Sequence, residues 1–171
     1  MFRPMRRHRQ QLSQGDCAAS PVPGTSGVLA VAGDGGYPYA VPLSYVYQEG
    51  TLFFHCAKAG HKLDALRRCS KASFCVIDQD QVVPPEYTTY FRSVIAFGRT
   101  RIFGGRGGET SCHFGSWRRN TAPGDSPEHR QEAIRRQAAG LCLVSLSIEH
   151  MTGKQAIELV QEDRRQADLP L

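Results

Sequence analysis

The residues best suited to chemistry gather in Leu52–Lys62, Leu-Phe-Phe-His-Cys-Ala-Lys-Ala-Gly-His-Lys. An apolar strand-forming run empties through Gly60 into a helix whose first residues are His61 and Lys62. Free backbone N–H groups at a helix start lie at the positive end of its dipole and attract an anion. Cationic or donor side chains there add charge-assisted hydrogen bonds. A phosphate group suits such a place. The alternative is that His61 and Lys62 are solvated first-turn residues, slightly unfavourable beside the dipole.

A second unusual segment, Gly36–Tyr45, reads Gly-Tyr-Pro-Tyr-Ala-Val-Pro-Leu-Ser-Tyr. Pro38 and Pro42 remove ladder donors, which central strands rarely tolerate. Its backbone is therefore open to something other than a neighbouring strand. A flat heteroaromatic ring with donors and acceptors along one edge fits, and the tyrosines offer stacking surface. An edge strand held open by its prolines fits equally.

Other chemistries lack their spacing. Gly-x-Ser-x-Gly, His-Glu-x-x-His and Cys-x-x-Cys are absent. Cys112 and His113 are neighbours that point apart rather than converge on zinc, and no metal site is expected. The glycine run Gly104–Gly108 resembles a phosphate loop but lacks the strand–helix–strand unit that dinucleotide binding requires, so it reads as a flexible turn. Thr152-Gly153-Lys154 lacks the upstream glycine of a nucleotide-phosphate loop.

The elements that must position these residues follow from periodicity and breakers. Residues 1–24 read as a basic arm with a short helix over Met5–Leu12, ended by Ser20-Pro21-Val22-Pro23-Gly24. Strands are expected at Val28–Ala32, Tyr39–Tyr47 and Leu52–Cys56, separated by the turns Asp34-Gly35-Gly36 and Gln48-Glu49-Gly50. A helix follows over His61–Arg68, then strands over Ala72–Ile77 and Thr89–Phe103, with Gly98 marking a bulge or bend. Val83-Pro84-Pro85-Glu86 is a loop, and a helix is expected over Pro127–Ala138. A strand over Leu141–His150 and a helix over Lys154–Gln161 complete the reading, with residues 163–171 as a tail. At least six strands and several short helices within residues 25–162 suit a closed antiparallel barrel, because closure removes exposed edges.

The bulk properties bound the partners. The chain of 171 residues has room for one domain with a core that needs no metal or disulfide staples. No apolar stretch approaches the ~18 residues of a membrane span, and Arg3, Arg6, Arg7 and Arg9 are not followed by the apolar region of a secretory signal. A cytoplasmic protein is expected. The six cysteines, at 17, 56, 69, 75, 112 and 142, read mostly as reduced core thiols. The net charge of +5 lacks the interleaved basic and aromatic residues of a nucleic-acid surface, so no nucleic-acid partner is expected.

Four blocks in order carry a resemblance: Tyr37–Tyr45, Phe54–Lys62, Thr88–Val94 and Ile148–Lys154. The sequence resembles the flavin-binding split-barrel proteins related to pyridoxamine 5'-phosphate oxidase, and within them the nitroimidazole-resistance (Nim)-like group. The resemblance implies a mainly β fold: an antiparallel, Greek-key-like split β-barrel with short flanking helices. It also implies a homodimer with FMN in grooves at the subunit interface. Carried onto this sequence, the backbone of Tyr39, Ala40, Val41, Pro42, Leu43 and Ser44 runs along the isoalloxazine ring and ribityl chain, and His61 and Lys62 hold the phosphate. His55, Cys56 and Ala57 lie beside the cofactor, and Arg92 and Ser93 reach the flavin of the partner protomer.

His55 matches the strand histidine that sits near the reactive edge of the flavin in such proteins. It is the expected catalytic residue, giving or taking a proton as electrons arrive, against the alternative of a buried structural histidine. Oxidation of pyridoxamine phosphate itself is not expected, since that enzyme's C-terminal substrate signature is missing. The reading is an FMN-dependent oxidoreductase, nitroreductase-like, with a small-molecule electron donor and acceptor. A non-catalytic flavin-binding or storage protein is the alternative, and a nucleic-acid-binding barrel a more distant one. The residues do not separate FMN from FAD or a deazaflavin.

Overall fold

The structure, a computed structural model, describes residues 1–20, 26–103, 124, 126–138 and 140–167. Among these are seven strands: β1 (Ser26–Ala32), β2 (Pro38–Ser44), β3 (Val46–Gln48), β4 (Thr51–Ala57), β5 (Lys71–Val83), β6 (Thr88–Phe103) and β7 (Leu141–Gln155). Four helices accompany them: α1 (Gln14–Ala19), α2 (His61–Arg68), α3 (Pro127–Ala138) and α4 (Ile157–Ala167). The breaker at Pro21–Gly24, the glycine run 104–108 and the Cys112–His113 pair lie outside the described residues.

Every strand pairing is antiparallel, in the order β2-β1-β5-β6-β7-β4-β3. β2 and β3 stand at opposite edges, yet Tyr45 alone separates them in the chain. Laid flat, seven strands at about 4.8 Å spacing would hold those edges about 29 Å apart, whereas the two Cα steps from Ser44 to Val46 span at most about 7 Å. The sheet must therefore roll up until its edges meet at Tyr45, which gives a split barrel. Tyr45 is 1 % exposed and sits edge-on to Phe74, with ring centroids 5.1 Å apart.

The interior follows from the two-residue period. Leu29 and Val31 of β1, Phe54 of β4, Phe74 and Val76 of β5, and Val144 and Leu146 of β7 share one core. Each such side chain contributes roughly 1.5–3 kcal/mol on burial. α2 adds Leu63, Ala65 and Leu66 to it. The β5–β6 hairpin runs well beyond the apolar stretch expected from sequence, because Gln79–Val83 pair with Thr88–Arg92 along a solvated two-stranded arm. At Gly98 the expected irregularity is present: Phe97 pairs with His150 and Gly98 with Ile148, leaving Glu149 as the extra residue on β7.

Two expectations are corrected at the ends. No helix spans Met5–Leu12; a single 3-10 turn covers His8–Gln10, and α1 begins only after Ser13, whose hydroxyl accepts from the Asp16 amide at 3.1 Å. This Ser-x-x-Asp cap was the unread signal. Nor does the last helix begin at Lys154: β7 continues to Gln155 because Gly153 and Lys154 pair with Val94 and Ser93, and α4 starts at Ile157.

The first twenty residues pack onto the barrel. Leu12 and Cys17 are buried with Val94, and the Leu12 amide donates to the Gly153 carbonyl at 2.9 Å. A Cβ on Gly153 would stand 2.6 Å from Cys17 Sγ and 2.7 Å from Leu12 Cδ1. The glycine of the Ile148–Lys154 block is therefore the seat of the N-terminal segment.

Candidate functional site

The start of α2 is built as the sequence suggested. Gly60 takes φ 124° and ψ 167°, a backbone that residues with a side chain rarely adopt. Its carbonyl accepts from Leu63 and Asp64 at 2.9 and 3.1 Å, but no side chain caps the helix. A Cβ built on Gly60 meets nothing within 4 Å, so the space before the helix is open. The first-turn amides of His61 and Lys62 thus lie at the positive end of α2 without a side-chain acceptor, which is the arrangement a phosphate group fits.

β2 meets this helix start. The His61 imidazole stacks on the Tyr39 ring with centroids 4.1 Å apart and planes 26° from parallel. Its Nε2 is 3.4 Å from Asp34 Oδ2, and the other carboxylate oxygen of Asp34 takes a short bond from Arg68 Nη2. One carboxylate in the turn after β1 therefore holds the first and last residues of α2. Sequence reading took Asp34 only as turn material; its reach to residues 27 and 34 positions away had no local signal.

Along β2, Tyr39, Val41 and Leu43 pack against the core, while Ala40, Pro42 and Ser44 are exposed. β2 is an edge strand whose ladder partner is β1, so its prolines sit where a missing donor is tolerated. Its outer backbone edge is left open.

In β4 the alternation divides the expected cofactor neighbours. Cys56 shares the core face with Leu52 and Phe54, whereas His55 and Ala57 belong to the opposite face with Phe53, itself buried against Phe103 and Leu143. His55 is half-buried and pairs in register with Leu143. Cys56 pairs in register with Cys142, whose thiol donates to the Phe103 carbonyl at 3.5 Å. Burial pushes the Cys56 thiol up from its ordinary range, with the Lys62 ammonium pulling the other way.

Arg92 and Ser93 are successive residues of β6 and so point to opposite faces. Arg92 Nε donates to Gln155 Oε1 at 3.0 Å and Nη1 lies 3.6 Å from Asp78 Oδ2. Gln155 Nε2 donates in turn to Asp163 Oδ2 at 2.8 Å. This network ties β6 to α4 at the α1 end of the barrel, and Ser93 stands on the other face opposite Ile77 and Lys154.

A separate groove of about 620 Å³ runs over β1, β5 and β6, lined by Phe2, Ala30, Ala32, Ser73, Phe97 and Arg99 among others. None of residues 39–44, 55–57 or 61–62 lines it. Phe2 reaches it by stacking on His150 at 4.4 Å.

An antiparallel barrel seamed at Tyr45, with a helix start open beside its edge strand, is the split-barrel architecture. The sequence profile of the pyridoxamine 5'-phosphate oxidase family matches residues 22–155, and the chain belongs to this family. Three solved structures illustrate the likeness. A candidate 5-nitroimidazole antibiotic resistance protein from Bacteroides thetaiotaomicron has TM-score 0.68 and 18% identity, covering 85% of this chain and 86% of that one. A FAD-binding protein from Mesorhizobium loti has TM-score 0.63 and 22% identity, over 86% and 97%. The flavocytochrome Anf3 from Azotobacter vinelandii has TM-score 0.67 and 18% identity, over 90% and 72%. A search of curated proteins returns no match. Among the described residues, no helix is long and apolar enough to cross a membrane.

Proposed function

We propose that the chain is a flavin-dependent oxidoreductase, nitroreductase-like, that holds FMN where β2, β4 and α2 meet and works as a cytoplasmic homodimer with the cofactor at the subunit interface. The observation that carries this is the uncapped start of α2 beside the open edge of β2. Family membership and the flavin-binding proteins among its structural neighbours support it. The five described cysteines are free thiols, in keeping with a reducing compartment.

When bound, the flavin supplies the electron transfer, and the protein supplies position and proton traffic. The amides of His61 and Lys62 and the Lys62 ammonium hold the phosphate. Tyr39 and Asp34 fix the His61 ring, and the outer backbone edge of β2 offers donors and acceptors to the edge of the ring system. An imidazole nitrogen of His55 gives or takes the proton that accompanies the electrons. Arg92 and Ser93 lie on opposite faces, so a single partner groove receives one of them, and Ser93 is on the face free of the Asp78–Gln155 network.

The test is reconstitution with FMN, FAD and riboflavin, followed by anaerobic reduction and exposure to nitroaromatics and quinones. The proposal expects FMN to bind most tightly and a nitroaromatic to reoxidise it faster than air does. Bound flavin that no acceptor reoxidises faster than air makes the chain a flavin binder rather than a reductase. A protein that binds none of the three loses the proposal altogether.

A further inference from the structure

We propose that Cys56 and Cys142 are a reversible redox pair, joined by a disulfide across β4 and β7 under peroxide and reopened by a dithiol. The two are direct register partners on adjacent antiparallel strands, so their side chains leave the sheet on the same face. Direct partners have Cα atoms about 4.5–5.5 Å apart, inside the roughly 4.4–6.8 Å range that a disulfide spans. This inference stands on strand register and does not depend on the flavin reading.

The surroundings separate this pair from Cys17 and Cys75. Lys62 and Arg67 of α2 favour a thiolate at Cys56, and Arg67 and Lys58 do so at Cys142. Cys17 instead packs against Leu12 and Val94, and Cys75 faces Ile95 across the ladder. Exposure assigns the roles: Cys56, only partly buried, meets the oxidant, while Cys142 is 5% exposed and resolves.

The Cys56 thiolate attacks one oxygen of hydrogen peroxide, the O–O bond breaks, and water leaves after protonation, giving a sulfenic acid. The Cys142 sulfur then attacks the Cys56 sulfur, the S–O bond breaks, and a second water leaves with the disulfide formed. Two electrons pass from the two thiols to one peroxide. A dithiol reductant returns both by exchange through a mixed disulfide. Burial holds both thiols above their ordinary range, so the first step quickens as pH rises.

The experiment treats the full-length protein with hydrogen peroxide, alkylates it under denaturing conditions and maps the peptides. Expected is a fall from six free thiols to four, a linked peptide joining Cys56 to Cys142, and restoration by dithiothreitol. Cys142→Ser should leave a Cys56 sulfenic acid that dimedone traps, and Cys56→Ser should give neither product. A link mapping to any other pair overturns the proposal, as does an unlinked Cys56–Cys142 pair in wild-type protein whose other thiols have oxidised. The wild-type map decides even where a variant fails to fold.

Discussion

Tyr39 and His61 lie ring on ring, 4.1 Å between centroids, so an edge strand and the first residue of a helix are joined at one contact. The stack leaves the His61 side chain little freedom, because Asp34 also engages its Nε2. What remains for an anion at this helix start is the pair of first-turn amides and the Lys62 ammonium. Lys62→Ala should therefore weaken FMN binding by roughly 10- to 100-fold, the value of one charge-assisted hydrogen bond of about 1.5–3 kcal/mol. Riboflavin, which lacks the phosphate, should bind the variant and wild type alike. Titration by flavin fluorescence checks both, and equal losses for the two ligands would move the phosphate elsewhere.

His55 occupies the face of β4 that carries the smaller buried cluster of Phe53, Phe103 and Leu143. Replacement by Ala should lower kcat for the best nitroaromatic by about 10²-fold or more, the usual worth of a positioned acid or base. The pH profile of kcat in the wild type should carry a limb that the variant lacks. Steady-state rates across pH measure it; a profile that survives the substitution assigns the proton to another group.

Gly153 has no room for a side chain, since Leu12 and Cys17 occupy the place of its Cβ. Gly153→Ala should cost about 1–3 kcal/mol through overpacking. It should also release the first twenty residues to proteases, while the barrel strands stay protected. Urea unfolding and limited proteolysis with N-terminal sequencing check the two effects, and a variant as stable as wild type would show that the segment docks some other way.

Burial, reinforced by the Asp78 carboxylate, pushes the Tyr45 phenol from its ordinary value of 10.0 up to about 12. The unfolded chain ionises this tyrosine first, so stability is whole below pH 10 and drains away as pH climbs toward about 12. Unfolding free energies measured at pH about 9 and about 11 should differ more in wild type than in Tyr45→Phe.

Much of the site could be read from residues alone. A helix over about His61–Arg68 was legible because Gly60, the charged first turn and Leu63 and Leu66 agree with one another. The prolines at 38 and 42 marked an edge strand whose backbone is open. α1 escaped because Ser13 and Asp16 carry its cap within a polar stretch that has little apolar period. The grouping of His55 with Cys56, and of Arg92 with Ser93, came from motif blocks rather than from strand geometry, and the two-residue period divides both pairs between faces. Asp34 and Gly153 act on residues far off in the chain, so only the folded arrangement reveals what they hold.

The single residue between β2 and β3 acts as a ruler. With the sheet's two margins stitched by one buried tyrosine, the width of the opening there is set by covalent chain length rather than by weak forces, and the margins cannot drift apart to admit a guest. α2 keeps station beside that margin by the same economy, its two ends tied to the turn after β1 through Asp34 while Leu63, Ala65 and Leu66 are sunk in the core.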